Sequence, residues 1–412
     1  MSMRKVKQNG IFVPAMILTV IIALTGCSNL LEGYTEAITN HYVAPPVRPP
    51  TDQISVSGYD EFVEAVLASI LEYETSIQLI YNHHDGEDVQ AEIDRASLEI
   101  LNEHPVGAYA VNDMTAEATR IVTHFEVSVE IEYKRTKEQL DSIINISSLR
   151  DMMSQLFNIM SQYNEEAAIR TGLQFSQEEI AEFVRETYYQ HPRHIIILPI
   201  ETVDIFPEEG TDRIFEIKFA YNESPGMLRR LSEDLATYVR GGAELATGET
   251  DSEKILSLVK NLVESTTFEE ITARSIHVHG AQDFVATAFG ALFHRSAVGE
   301  GFAMALKALA DELGFDCQVV LGYYDGMVHA WNIVQLYGDH YHIDVAMSVV
   351  NGIETAFLKT DRDFEEMYTW DRVNTIRCEG ELTLDDIIGP EEDDLINGDN
   401  QTGEQDNGEE ES

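Results

Sequence analysis

Apolar residues between positions 59 and 235 recur in the order helix, helix, strand, strand. In the first copy, helical spacing predicts a helix near residues 62–73, and a second helical run ends at 102–105. Strands are predicted over 106–111 and over 125–133, where polar and apolar residues alternate strictly. The apolar positions that define the first helix are Phe62, Val66, Ile70 and Tyr73.

The same order recurs 87 residues further along the chain. The apolar positions of the corresponding helix are Leu149, Met153, Phe157 and Met160. Strands are again predicted, over 195–198 and over 215–221. A pattern repeated at a fixed spacing is typical of a duplicated structural unit. We therefore expect two small α/β repeats, spanning residues 55–145 and 146–235.

Each copy contains a His-Pro pair after its second helical run, at His104-Pro105 and at His191-Pro192. Proline ends helices because it lacks the backbone N–H and clashes with the preceding turn. These pairs are therefore interpreted as helix stops. A paired functional feature is the alternative interpretation.

The following region, residues 236–388, mixes helices and strands. A helical run over 227–239 leads into it and is expected to break at Gly241-Gly242. Residues 252–263 predict a second helix, with Asp251 or Ser252 as N-cap. Its buried stripe is Ile255, Leu258, Val259 and Leu262.

One further helix and three strands complete this region. Phe302, Leu306, Leu309 and Leu313 recur at helical spacing, and Gly314 is a C-terminal stop. Strands are predicted over 315–321, 328–336 and 340–345, with the turn between the last two at Tyr337-Gly338. The whole chain is therefore expected to be an α+β protein.

The first 26 residues resemble a bacterial lipoprotein signal peptide. Arg4, Lys5 and Lys7 precede an apolar stretch from Ile11 to Leu24, which is short for a membrane span. Leu24-Thr25-Gly26-Cys27 resembles a lipobox, which implies cleavage before Cys27 and acylation of its thiol. We therefore expect an extracytoplasmic protein anchored to the cell membrane through lipid such as palmitate. An uncleaved anchor is the alternative.

Two segments, one after the predicted anchor and one at the C-terminus, lack the periodic apolar residues that form a core. Residues 27–54 contain a Pro-rich run at 44–50 and predict an extended stalk. Residues 389–412 predict a disordered tail, because the 22 residues from 391 hold ten acids and neither basic nor aromatic residues. A tail that binds cations or basic partners is the weaker interpretation.

Composition restricts the classes of partner. The 412 residues predict two or three domains, and 27 basic against 73 acidic residues give a formal charge of −46. So acidic a chain repels the phosphate backbone of nucleic acids and anionic membrane surfaces. Nucleic-acid binding is therefore excluded as a function.

A glycine, a histidine and an aspartate define the candidate site. Gly299 is predicted at the start of the helix that contains Phe302, where backbone N–H groups point outward. With Tyr337-Gly338 at the centre of the hairpin turn, Asp344 lies diagonally opposite His329 on the same sheet face. A structural His–Asp hydrogen bond and part of a catalytic triad are the two interpretations of this pair.

The surrounding motifs resemble the transglutaminase-like superfamily. They are Ser296 to Ala303, His329-Ala330-Trp331-Asn332 and Tyr341-His342-Ile343-Asp344, with weaker likeness at 288–292 and 357–361. The resemblance covers about residues 252–378. It implies a papain-like core with a Cys-His-Asp triad, in which His329 is the base and Asp344 orients it. Gly299 stands where the family has its nucleophilic cysteine.

The resemblance also gives expectations for neighbouring residues. Trp331 shares a face with His329 and is expected to wall a cleft, whereas Asn332 faces the other way and is expected to anchor a loop. Glu300 is expected to be a solvated carboxylate, which is a poor acyl acceptor. Removing the nucleophile of a triad lowers turnover by on the order of a millionfold, so this chain is expected to be catalytically impaired.

Cysteines and histidines raise two further questions. Cys317 and Cys378 either form a disulfide, which an extracytoplasmic location permits, or are buried free thiols. His277 with His279, and His340 with His342, form His-x-His pairs of the kind found in zinc sites. Because the sequence places no third ligand, neither a metal nor a cofactor is expected.

Three functions follow as hypotheses. The first is a membrane-anchored, non-catalytic scaffold or module that binds a peptide, a protein or a cell-wall glycan-peptide. The alternative is an active envelope amidohydrolase, a protease or acyl transferase that uses His329 and Asp344 with a non-standard nucleophile. The third is a structural spacer.

Overall fold

The computed structural model describes residues 54–82, 88–280 and 282–389. The predicted signal peptide, Cys27, the stalk up to residue 53 and the acidic tail from residue 390 lie outside these residues. None of the described helices is both long enough and apolar enough to cross a membrane. The described residues form three units, each built around a four-stranded sheet.

The first sheet unit covers the described residues between 54 and 141, and its apolar core also includes Ala168 and Ile214 from further along the chain. Its sheet has the strand order β1-β2-β4-β3, with β1 parallel to β2 and the other pairs antiparallel. The elements are β1 (Ile54–Val56), α1 (Tyr59–Leu71), β2 (Ser76–Tyr81), α2 (Val89–Asn102), α3 (Pro105–Ala110), β3 (Val111–Arg120), β4 (Phe125–Tyr133) and α4 (Lys137–Asp141).

The second sheet unit, residues 144–220, has the same topology. Its strand order is β5-β6-β8-β7, with β5 parallel to β6 and the other pairs antiparallel. The elements are β5 (Ile144–Asn145), α5 (Leu149–Ser161), β6 (Glu166–Thr171), α6 (Gln177–Gln190), β7 (Ile200–Phe206) and β8 (Arg213–Ala220). The two sheets therefore share one strand order, and the two repeats expected from the sequence stay a prediction.

The spacing between the two units differs from the sequence estimate. Helix α5 begins at Leu149 and α1 at Tyr59, so the matching helices lie 90 rather than 87 residues apart. The buried face of α5 is therefore formed by Met152, Leu156, Ile159 and Met160, and Leu149 is exposed. Leu149, Met153 and Phe157 were wrongly assigned to this face because several apolar residues of α5 fit a helical period in more than one register.

The predictions of secondary structure in these units were incomplete or wrong in three respects. The helix, helix, strand, strand pattern omitted three strands in each unit, namely β1, β2 and β3 (which shares only Val111 with the predicted strand) and β5, β6 and β7. Residues 105–110 form a helix, which begins at Pro105 as its first residue, where the missing N–H is tolerated. Residues 195–198 are buried but irregular, and the N–H of Ile196 donates to the Tyr163 hydroxyl at 3.0 Å. Short apolar runs do not distinguish strand from helix by periodicity.

The His-Pro pairs lie where the helix-stop interpretation places them. Helix α2 ends at Asn102, two residues before His104, and α6 ends at Gln190, immediately before His191.

The C-terminal unit, residues 225–388, contains the candidate site. Its sheet is antiparallel with the order β13-β12-β11-β14. The elements are α7 (Pro225–Glu244), α8 (Asp251–Ser265), β9 (Thr267–Phe268), α9 (Glu270–Ser275), a 3₁₀ turn (Phe284–Ala286), a π-helical turn (Gly290–His294), β10 (Ser296–Ala297), α10 (Gly299–Glu312), β11 (Cys317–Tyr324), β12 (Met327–Leu336), β13 (Asp339–Ile343), α11 (Val345–Asn351), α12 (Ile353–Ala356), α13 (Asp361–Phe364), β14 (Tyr368–Trp370) and α14 (Leu384–Ile388).

Two helix boundaries in this unit differ from the predictions. Helix α7 continues through Gly241-Gly242 to Glu244. A Cβ at position 242 would lie 2.7 Å from the Leu309 side chain, so glycine at this position allows α10 to pack closely against α7. The N-cap of α8 is Thr250 and not Asp251 or Ser252 as predicted, and it forms a capping box with Glu253. The predicted buried stripe of α8 is confirmed.

The apolar core of the second sheet unit continues into the C-terminal unit. One cluster of buried residues extends from Ile146 to Cys378 and includes residues of α5, α6, α8, α10 and β12. The packing therefore has no gap near residue 235, and the domain limits at 145, 235 and 388 stay predictions. Helices combined with sheets in which most strand pairs are antiparallel make the described residues an α+β structure.

Candidate functional site

The β12–β13 hairpin brings His329 and Asp344 together. Tyr337 and Gly338 form its two-residue turn with positive φ angles of 57° and 97°, and Leu336 is paired with Asp339. This register places Asp344 diagonally opposite His329, as the sequence predicts. The Nε2 atom of His329 lies 2.6 Å from Oδ2 of Asp344, and the two residues are 7% and 1% exposed.

The hydrogen bond fixes which nitrogen of the neutral His329 ring carries the proton. A carboxylate only accepts hydrogen bonds, so Nε2 of the neutral ring carries the proton and Nδ1 keeps its lone pair. Nδ1 faces the start of α10, because a Cβ built on Gly299 would lie 2.4 Å from it. This is the orientation that a histidine base needs beside a nucleophile at position 299.

Asp344 also has structural partners. Its Oδ2 accepts a hydrogen bond from the Tyr368 hydroxyl at 2.9 Å, and its Oδ1 accepts one from the Met347 N–H at 3.0 Å. The second bond makes Asp344 the N-cap of α11. Burial, and next the nearby charge of Asp344, raise the pKa of Tyr368. The buried side chain of Asp344 therefore connects the β12–β13 hairpin, helix α11 and Tyr368 of β14.

The imidazole of His329 occupies the space that a side chain at position 299 would need. A Cβ on Gly299 would lie 2.4 Å from both Cε1 and Nδ1 of the ring, far inside van der Waals contact, and 3.3 Å from the Ala330 carbonyl oxygen. Gly299 is the first residue of α10, as predicted, with Val298 as its N-cap. The site is therefore packed around a glycine rather than holding a vacant nucleophile position.

The space beside Gly299 is small and covered. The cavity has a volume of about 20 Å³ and is bordered by residues of four segments, namely Ala273, Ile276, His279, Val298, Gly299, Glu300, Val328 and His329. Residues 276–280 lie over it, with His279 Nε2 3.1 Å from the Gly322 carbonyl oxygen and the Gly280 N–H donating to Glu300. A cavity of this size suits about one water molecule, so a peptide has no room here.

Glu300 is buried, which corrects the expectation of a solvated carboxylate. It is 4% exposed, and its Oε1 accepts hydrogen bonds from the Tyr189 hydroxyl at 2.7 Å and the Gly280 N–H at 3.1 Å. Burial raises the pKa of Glu300 to about 7, against the lowering effect of these two donors. Tyr189 belongs to α6, so the second sheet unit contributes directly to the site.

Trp331 and Asn332 have different roles from those expected. Trp331 is 1% exposed and belongs to the core, where its ring packs against Tyr368 and Phe364, and it does not border the small cavity. Asn332 donates from Nδ2 to the Ala303 carbonyl oxygen at 2.9 Å. It therefore joins α10 to the sheet instead of anchoring a loop.

A second His–Asp pair, which the sequence analysis missed, lies behind the first. His342 Nε2 is 2.9 Å from Asp361 Oδ1, which also accepts the N–H of Cys378 at 3.0 Å. The potential ligand atoms of these three residues lie within 4.8 Å of one another. His342 belongs to the Tyr341 to Asp344 motif and Asp361 to the segment 357–361, so the sequence contained a signal for this pair.

The hydrogen bonds of His342 argue against a metal at this cluster. The Trp331 indole N–H donates to Nδ1 of His342 at 3.0 Å, so the proton of the neutral ring is on Nε2, which donates to Asp361. A metal ion bound to Nε2 would require the ring proton to be on Nδ1. There the Nδ1–H would face the indole N–H of Trp331, which is also a donor. A metal-bound histidine normally donates its other N–H to an acceptor. The cluster is therefore a structural hydrogen-bond network.

Cys317 and Cys378 are both buried free thiols, so the disulfide left open by the sequence is not formed between them. Burial raises the pKa of both thiols, which makes them unreactive. Residues 277–280 are not a strand and His277 is exposed, so the expected two-imidazole face is absent from these described residues.

Comparisons with known proteins gave weak likenesses to solved structures. No family model matches the chain, and the search of curated proteins gave no match. Among solved structures, the chain is similar to a crystal structure of a TGase, with 13% identity and a TM-score of 0.26. The overlap covers 50% of this chain and 59% of that chain. At this TM-score the likeness carries no argument about the fold or the function of the chain.

Proposed function

We propose that this chain is a membrane-anchored extracytoplasmic lipoprotein whose transglutaminase-like domain is non-catalytic and acts as a scaffold or binding module. The observation that carries the proposal is Gly299, with the His329 ring filling the space of a nucleophile. The lipid anchor at Cys27 rests on the sequence alone. The family assignment rests on the quoted motifs and on the His329–Asp344 geometry.

The chemistry supports a loss of acyl transfer. Family-type catalysis requires a nucleophile that attacks the acyl carbon and a base that takes its proton. The base and its orienting acid are present, but glycine supplies no attacking atom, and both described thiols are buried. The His–Asp pair is then retained for stability, because Asp344 also caps α11 and binds Tyr368.

The active amidohydrolase remains the second candidate, and one observation favours it. The cavity of about 20 Å³ is bordered by His329 and Glu300, so a water held there would have two titratable neighbours. A substrate would require residues 276–280 to move away from Gly322 and Glu300.

An activity assay separates the two candidates. We expect purified protein to release no ammonia from glutamine-containing peptides and to attach no fluorescent amine to them, at the level of the buffer blank. The His329→Ala variant should give the same blank value. Turnover by the wild-type chain that disappears in His329→Ala would contradict the non-catalytic proposal.

Restoring the cysteine is expected to perturb packing rather than to restore catalysis. The new Cβ of Gly299→Cys must displace a ring that is fixed by Asp344, so the free energy of unfolding should fall by about 1–3 kcal/mol. Urea unfolding measures the loss, and labelling of the folded protein with iodoacetamide measures thiol reactivity, which should stay low.

The matched control is Gly226→Cys, where a Cβ meets no atom within 4 Å. It should label readily and unfold like the wild type. A Gly299→Cys protein of wild-type stability that also hydrolyses peptides would mean that the site accommodates a nucleophile.

A further inference from the structure

A groove on the C-terminal unit lies away from Gly299 and His329. It is formed between α7 and α8, with the π-helical turn and Leu309 of α10 beneath it, and its volume is about 440 Å³. This volume is within the range of roughly 300–1,000 Å³ that small-molecule sites occupy. The residues that border it include none of those that surround the small cavity.

Two adjacent glycines of α7 explain why the groove is open. At Gly242 a Cβ would lie 2.7 Å from Leu309, so this residue sets the close approach of α7 to α10. At Gly241 a Cβ would meet no atom within 4 Å, so the helix presents bare backbone to the groove there. Any larger residue at position 241 would take up part of the space.

The walls of the groove are mostly apolar. Its buried leucines belong to α8, the π-helical turn and α10, so three separate elements fix them in the core. They are Leu258, Leu262, Leu292 and Leu309. Tyr238 and Leu245, both of which are exposed, lie at the mouth. The Tyr238 ring is also held edge-on against Phe293, with 5.1 Å between the ring centroids.

One positively charged side chain, that of Arg295, borders the apolar groove. Arg295 is exposed, and its Nη1 donates to the Ser265 hydroxyl at 3.0 Å, which directs the guanidinium to the groove. Among the described residues it forms no salt bridge, although acidic residues outnumber basic ones 73 to 27 in the chain. An unpaired guanidinium fork suits a carboxylate.

We propose that this groove binds a single-chain amphiphile, an unbranched acyl chain that ends in a carboxylate. The acyl chain lies against the leucines and the bare backbone of Gly241, and the carboxylate pairs with Arg295. The leucines suit a long apolar body, and the single guanidinium at the groove suits one carboxylate, so a ligand with one negative charge and a long apolar body is the class that fits. This proposal is independent of the non-catalytic function proposed above.

Calorimetric titration of the whole protein with dodecanoate tests the proposal, with dodecanol and dodecyltrimethylammonium as neutral and cationic probes of equal chain length. We expect saturable binding of dodecanoate to one site, weaker binding of dodecanol and the weakest binding of the cation. No saturable binding of dodecanoate, or equal binding of all three probes, would overturn the proposal.

Two variants locate the site. Gly241→Phe fills the groove and should weaken dodecanoate binding at least about tenfold, while Gly226→Phe, on the same helix but outside the groove, should leave it unchanged. Arg295→Asn, which suits the left-handed backbone at φ 59°, should weaken dodecanoate about tenfold and leave dodecanol unaffected.

These variants are also informative if binding occurs elsewhere. Thermal unfolding of each protein establishes that it folds, and phenylalanine is a better helix former than glycine at position 241. Unchanged dodecanoate affinity in a folded Gly241→Phe protein would place the ligand outside this groove. Equal losses for dodecanoate and dodecanol in Arg295→Asn would contradict the role of the guanidinium as the carboxylate partner.

Discussion

Replacing Asp344 with alanine is expected to lower the free energy of unfolding by about 3–5 kcal/mol, because one buried carboxylate serves three donors. The substitution leaves His329 Nε2, the Tyr368 hydroxyl and the Met347 N–H without an acceptor. Each buried donor that loses its partner costs about 1–3 kcal/mol, and α11 also loses its N-cap. Urea-induced unfolding followed by circular dichroism gives the change.

Two further variants test whether the loss of stability depends on the charge of Asp344 and on its buried location. Asp344→Asn keeps an acceptor for Met347 and nearly the same volume, so it should destabilise the protein less than alanine does. Asp339→Ala removes an exposed aspartate from the other end of β13 and should change the free energy of unfolding by less than about 0.5 kcal/mol. Equal small losses for Asp344→Ala and Asp339→Ala would mean that the buried network contributes little.

Replacing Glu300 with glutamine is expected to change how stability depends on pH. The folded chain raises the pKa of Glu300 from its ordinary value of 4.5 to about 7, so the folded state binds this proton more tightly than the unfolded state does. The resulting stabilisation is fully present below pH 4.5 and is lost as the pH rises to about 7. The loss amounts to about 3 kcal/mol over this range, and glutamine does not undergo it.

The expected result is a difference between two curves. The free energy of unfolding of Glu300→Gln minus that of the wild type should increase by about 3 kcal/mol from pH 4.5 to pH 7 and stay constant above. A difference is needed because three histidines change the stability in the opposite direction as the pH rises. Burial is the main reason that the pKa values of His104, His191 and His279 are lowered to about 4.

Glu264→Gln, which changes an exposed carboxylate of α8, is the control and should give a difference that is flat with pH. A flat difference for Glu300→Gln as well would mean that its carboxylate is solvated in solution, as the sequence alone suggested.

The two proposals place function in separate parts of the C-terminal unit. The packed glycine at 299 supports a chain without acyl-transfer chemistry, whereas the groove beside Gly241 has the volume and the unpaired guanidinium of a ligand site. Each has its own experiment, so either proposal can fail without the other.

The sequence by itself determined the features that depend on local geometry. Strict alternation identified the strand at 125–133, and the Tyr337-Gly338 turn fixed the register that pairs Asp344 with His329. It also placed Gly299 at the first position of α10. These succeed because side-chain direction in a strand alternates with a period of two and a two-residue turn allows one register.

Only the tertiary structure decided what surrounds the site. Glu300 is buried because Tyr189, 111 residues earlier, and Gly280 come to its carboxylate. The His329 ring fills the space at Gly299, and residues 276–280 cover the cavity that remains. Burial and steric exclusion are set by segments that are distant in sequence, so no local pattern encodes them, and the same holds for the groove between α7 and α8.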